Sequence, residues 1–263
     1  MTTIRNPGYL SDAIFHHDHG RVEDKDSYCL ITTPANPTFH WGNYLLFKSP
    51  PTTGCYSDWM EIHRREFGPE PEHLTIGWDS RERGDISEFG ANGCTLNDGI
   101  VLQLKNPSKT PRTHSDLEIR KLTKDSEWQT VFDQQVEDGF EGVTEEGYRD
   151  FKSLQMTLYR DSQHRGLGHW WGAFLNDQLV GSMGLFFDRT TGLGRFQQVH
   201  TVKAHRRQGV CSTLLSGIIE NAFAHEGASE LLIVTDIDSA PERLYRSAGF
   251  QHLCLQFGLS KIT

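Results

Sequence analysis

The stretch from Phe196 to Ala224 restricts this chain more than any other. Phe196-Gln-Gln-Val-His-Thr-Val202 reads as a strand rich in β-branched residues. Ser212 to Ala224 reads as a helix, with Leu214, Leu215, Ile218, Ile219, Ala222 and Phe223 on one broad apolar stripe. Between them lies Arg206-Arg-Gln-Gly-Val-Cys211. A helix that starts just after such a loop offers unpaired backbone N–H groups and the positive end of its dipole. Gly209 lets an anion approach the backbone, and Arg206 and Arg207 add fixed charge, so the junction suits a diphosphate.

The flanking segments give this short motif its meaning. Leu231-Leu-Ile-Val-Thr235 is a further strand, followed by a helix that ends in Arg243-Leu-Tyr-Arg-Ser-Ala-Gly-Phe250. Upstream, His169–Leu175 and Leu179–Phe187 flank the turn Asn176-Asp-Gln178, a hairpin signal. Leu117–Leu122 reads as an opening strand, a helix capped by Asp125 or Ser126 runs to about Gln135, and another covers Glu145 to about Gln163. This order resembles the GNAT superfamily of acyl-CoA-dependent N-acetyltransferases over residues 117–263. The resemblance implies an α/β fold with a mixed sheet.

Residues 106–116, polar and holding two prolines, read as a linker and divide the chain into 1–113 and 114–263. The first half has strand-like runs at 28–33, 41–47, 74–78 and 99–104, with a helical stretch at 56–67. It is similar to the degenerate member of a tandem pair of such units. Its nearest counterpart of the loop, Arg81-Glu-Arg-Gly-Asp-Ile86, carries acidic residues and does not suit an anion.

The resemblance implies attack of an amine on the thioester of acetyl-CoA. Arg206, Arg207, Gln208, Gly209, Val210, Cys211 and Ser212 would hold the diphosphate. Thr201 and Val202 would pair with the pantetheine arm, and a backbone N–H near Val202 would polarise the thioester. Cys211 stands where the family usually has Gly or Ala; a nucleophilic role for it is the alternative to simple packing. Tyr245 matches the tyrosine that protonates the departing sulfur, and Asp238 replaces a common asparagine, which alters that cofactor contact. His200 is the candidate base, since imidazole titrates near neutrality and alternation places Gln198, His200 and Val202 on one face. No Asp or Glu lies within 195–202.

Other features bound the function. The chain of 263 residues has a formal charge of −9, spread over both halves, which argues against nonspecific nucleic-acid binding and mildly favours cationic amines. No run approaches the roughly 18 to 20 apolar residues of a membrane span, and the N-terminus lacks a secretory core, so a cytoplasmic protein is expected. Five scattered cysteines form no Cys-x-x-Cys pair, so free thiols and no metal are expected. His16-His-Asp-His19 reads as a solvated loop, and Trp41, Trp59, Trp78, Phe39 and Tyr44 as core of the first half. The acceptor, a small-molecule or peptide amine, is not specified, and neither are the oligomeric state and the acyl length. A CoA-binding sensor with little turnover and a transferase of larger acyl groups both stay open.

Overall fold

A computed structural model describes residues 4–69, 73–107, 114–139 and 144–262. Most of the expected linker, residues 108–113, lies outside the described residues. The chain forms two compact units that are discontinuous in sequence. The first takes residues up to Val101, Thr235–Ile237 and everything from Leu253; the second takes Leu102–Val234 and Asp238–His252.

The first unit opens with α1 (Pro7–His19), where Pro7 pre-sets φ and Asn6 Oδ1 accepts from Gly8 N at 2.9 Å. The strands are β1 (Arg21–Asp24), β2 (Tyr28–Thr32), β3 (Tyr44–Phe47), β4 (His73–Trp78), β5 (Thr95–Leu104) and β11 (Gln251–Ile262), with helices α2 (Tyr56–Phe67) and α3 (Ser87–Ala91). Their order is β1-β2-β3-β4-β11-β5. β3 and β4 are parallel, whereas β11 runs antiparallel to β4. Aromatic stacking fills this core: Phe47 lies 3.8 Å from Trp59, and Trp78 stacks on Phe257. Trp59, Trp78 and Tyr44 are therefore core residues, as expected. The histidine run differs from expectation. It forms the last turn of α1, and His16 is buried with Nε2 3.3 Å from the Tyr44 hydroxyl.

The second unit contains β6 (Glu118–Lys121), α4 (Asp125–Asp138), α5 (Glu145–His164), β7 (Gly168–Leu175), β8 (Gln178–Asp188), β9 (Leu193–Thr201), α6 (Val210–His225), β10 (Glu230–Asp236) and α7 (Ala240–Ser247). The sheet order is β10-β9-β8-β7-β6. β6 to β9 are antiparallel neighbours and β10 joins β9 in parallel, giving the mixed sheet expected of the fold. Asn176 and Asp177 both take positive φ, the geometry a tight hairpin requires. α4 starts one residue early, because Glu127 Oε2 accepts from Thr123 N and Lys124 N and replaces the expected cap. α6 buries Leu214, Leu215, Ile218, Ile219 and Ala222, each large side chain contributing about 1.5–3 kcal/mol. A methyl group on Gly217 would stand 3.2 Å from Ile119, so the helix lies close on β6.

Candidate active site

Two irregularities in β9 mark the candidate site. Its parallel pairing with β10 runs through Leu193–Glu230, Gly194–Leu231 and Arg195–Leu232. Within this unit β9 continues to Thr201 and β10 to Val234 beyond these pairs, so they splay from Phe196 onward. On the other edge, Gly184 faces Gln197 while Ser182 faces His200, so Met183 alone opposes Gln198 and Val199. This is a β-bulge, and Gln198 takes a φ of 50° to make it.

The bulge corrects two expectations. Regular alternation from Gln198 to Val202 does not hold, because the extra residue breaks the period of two. The backbone irregularity sits at Gln198, four residues before Val202, near which the thioester-polarising N–H was expected. Val202 N donates to Val180 O at 3.0 Å, so that N–H is not available to a thioester.

After β9 the chain makes a 3-10 turn at Lys203–His205, and Arg207 (φ 62°) and Gly209 (φ 85°) lead into α6. Gly209 is the N-cap, and its carbonyl accepts from Ser212 Oγ, Thr213 N and Thr213 Oγ1 at 2.8–3.0 Å. Among the described residues a Cβ placed on Gly209 would meet no atom closer than 3.9 Å, the Ser212 hydroxyl, with His114 Cβ at 4.0 Å. The exposed Arg206 and Arg207 give the loop a positive charge that suits an anion. Arg206 is also anchored, with Nε donating to Thr201 O at 2.9 Å and Nη2 to Asp138 Oδ2 at 3.0 Å.

Asp138, the last residue of α4, has no sequence signature. Its carboxylate meets His200 Nε2 at 3.2 Å, Lys203 Nζ at 3.1 Å and Arg206 Nη2. Burial alone would raise its pKa, but Lys203, His200 and Arg206 outweigh that and hold it below the usual carboxylate range. Burial lowers the pKa of His200, and Asp138 pulls it back up. His200 Nδ1 is buried without a partner. Ser182, opposite it in the ladder, is fully buried with its hydroxyl unpartnered, and so are both amide atoms of buried Gln135, one helical turn before Asp138. Orphaned buried polar atoms are costly, and two of them, on Ser182 and His200, face each other across the β8–β9 ladder.

Tyr245, on α7, is buried, and burial followed by the nearby Cys211 raises its pKa well above 10. Its ring lies 6.3 Å from Phe250, which is 6.1 Å from Phe196 at the start of the splay. Cys211 is pushed up to about 11 by burial, against the opposing Thr201 hydroxyl. Asp238 is exposed; its N–H donates to Glu242 Oε2 at 2.7 Å and its carbonyl accepts from Arg243 Nη1, so its backbone serves the start of α7. Among the described residues no group of three His, Cys, Asp or Glu could hold a metal. No described helix is long and apolar enough to cross a membrane.

Residues 128–250 match the family model for the acetyltransferase (GNAT) family. This part of the chain is a GNAT domain. GNAT domains carry out acyl transfer from acyl-CoA, and the splayed strands and glycine loop described above lie inside the matched segment. Similar solved structures share the fold across nearly the whole chain at low identity. A conserved protein of unknown function from Staphylococcus epidermidis is 14% identical, with a TM-score of 0.75 over 94% of this chain and 95% of that one. A GCN5-related N-acetyltransferase from Kribbella flavida is 15% identical, with a TM-score of 0.69 over 100% and 97%. A tandem GNAT protein from the clavulanic acid biosynthesis pathway is 14% identical, with a TM-score of 0.58 over 92% and 80%.

Proposed function

We propose that the second unit transfers an acetyl group from acetyl-CoA to a primary amine, and that the first unit is a degenerate second GNAT-like unit. The observation that carries the transfer reading is the splay of β9 from β10 directly ahead of the Gly209 loop. In this reading Arg206, Arg207, Gln208, Gly209, Val210, Cys211 and Ser212 hold the diphosphate, and the free edge of β9 up to Thr201 and Val202 receives the pantetheine arm. The thioester of acyl-CoA supplies an activated carbonyl. The bulge at Gln198 directs main-chain N–H groups where charge grows on that carbonyl oxygen, a contribution of about 3–4 kcal/mol for one well-placed donor.

Tyr245 donates its proton to the departing sulfur. Its raised pKa keeps the phenol neutral, hence a donor, at every working pH. His200, oriented by Asp138 on Nε2 and open on Nδ1, accepts a proton on the amine side. Cys211 packs the helix start and takes no covalent part.

Calorimetry with coenzyme A and a panel of amines with acetyl-CoA, followed by free-thiol release, test the reading. Saturable binding with thiol release for at least one amine supports it. The absence of heat on adding coenzyme A sinks it, while binding without release for any amine favours a sensor. Longer acyl-CoA substrates in the same assay settle the acyl length.

A further inference from the structure

The buried face of α5 holds a lysine whose head meets amides and rings. Lys152 is 2% exposed. Its Nζ donates to Gln155 Oε1 at 2.9 Å and to Gln198 Oε1 at 2.9 Å. The rings of Phe151 and Tyr148 lie 5.4 and 5.5 Å away. Among the described residues no carboxylate forms an ion pair with it. Of the described titratable side chains Tyr148 on α5 packs against it, while β9 presents the neutral Gln198. Burial is what shifts it, from 10.5 down to about 7.

The hydrogen-bond inventory gives the chemistry. A neutral amine has two N–H donors and one lone pair, and the two glutamine oxygens take both donors. The lone pair is then the unfilled position. One of those glutamines is Gln198, the bulge residue on the splayed segment, so the lysine is tied to the backbone feature that would face the acyl carbonyl.

We propose that Lys152 is the general base that removes the first proton from the acceptor's ammonium group. The assignment rests on the transfer reading given above. An ammonium acceptor gives one proton to Lys152 Nζ and becomes a free amine. Its lone pair forms the C–N bond to the acyl carbon, and the C–S bond breaks with its electron pair on sulfur. Sulfur takes a proton from Tyr245, and the second proton leaving the new amide nitrogen passes by way of His200 to restore the phenol. Lys152 then releases its proton to solvent, so one proton is released per turnover.

The test uses the full-length protein with acetyl-CoA and an amine active in the panel. The pH profile of kcat/KM reports the ionisations of the free enzyme. Wild type is expected to show a limb near 7. Lys152→Met is expected to lose that limb and to drop kcat about 100-fold or more, with the KM for acetyl-CoA within about twofold. Lys152→Gln, which keeps a polar head for the two amides, serves if the Met variant folds poorly. His200→Gln is expected to slow turnover and keep the limb. Persistence of the limb in the Lys152 variants, or its loss in His200→Gln, overturns the assignment. Lysine side-chain NMR gives a readout independent of turnover: Nζ of Lys152 is expected to be largely neutral at pH 8 with coenzyme A bound, and a charged Nζ there overturns the assignment even if transfer proceeds. No thiol release with any amine overturns the transfer reading and this assignment with it.

Discussion

Arg206 and His200 share one carboxylate oxygen: Asp138 Oδ2 lies 3.0 Å from Arg206 Nη2 and 3.2 Å from His200 Nε2. The loop residue expected to meet phosphate and the strand residue expected to move a proton are thus coupled through one side chain. Asp138→Asn removes the one group that raises the His200 pKa, leaving burial and the two cations to lower it further. The His200 ring titration, followed by NMR, is expected to move to lower pH in this variant. An unchanged titration would mean that Asp138 does not govern the imidazole.

Tyr245→Phe removes one hydroxyl from a buried site while keeping the ring contact with Phe250. Loss of a positioned acid costs about 10²–10⁴-fold in the step it serves. Steady-state kinetics are expected to show kcat down by about 100-fold with the KM for acetyl-CoA nearly unchanged. Equal kcat in both proteins would remove Tyr245 from the reaction.

Cys211 has its pKa raised to about 11, so at pH 7 about one molecule in ten thousand carries the thiolate. Cys211→Ala is expected to retain activity within a few-fold, and iodoacetamide is expected to leave Cys211 of the wild-type protein unlabelled over minutes at pH 7. Abolished turnover in the alanine variant would revive a covalent role.

Acid is expected to destabilise the first unit through its buried histidines. His16 and His63 are both lowered by burial to about 4, against 6.5 for an ordinary imidazole. Between those values the unfolded chain binds protons that the native one does not, so their contribution is complete above about 6.5 and falls away as pH drops toward 4. Each such group gives a slope of about 1.4 kcal/mol per pH unit within that window. Urea unfolding midpoints across pH 4.5–8 check this, and His63→Gln is expected to flatten the slope by one group's share.

Much of the second unit was legible in the sequence because its elements announce themselves locally. The α6 stripe, the Asn176-Asp177 turn and the glycine after a strand each fix backbone geometry within a few residues. The bulge at Gln198 was hidden, since it arises from pairing with β8, and reading the strand as regular left the expected N–H donor near Val202. Asp138 was invisible for a similar reason: a lone acid at a helix end looks solvated until tertiary contacts bring His200, Lys203 and Arg206 to it. Lys152 was hidden as well. It lies with Gln155, Met156, Tyr159 and Ser162 on the inward face of α5, a largely polar face that apolar periodicity does not mark. In the first half, α1 escaped notice because its mixed His and Asp composition outweighed the Asn-Pro start.

The position of β11 governs when the first unit can be completed. This strand lies between β4 and β5, and its Phe257 and Leu259 fill their core, yet it follows all the other described strands in the sequence. Until those last residues emerge, β4 and β5 present an open seam with unpaired main-chain groups on either side. A nascent chain stalled or cut before Gln251 would therefore expose that seam and be prone to aggregation, however well formed its remaining elements are.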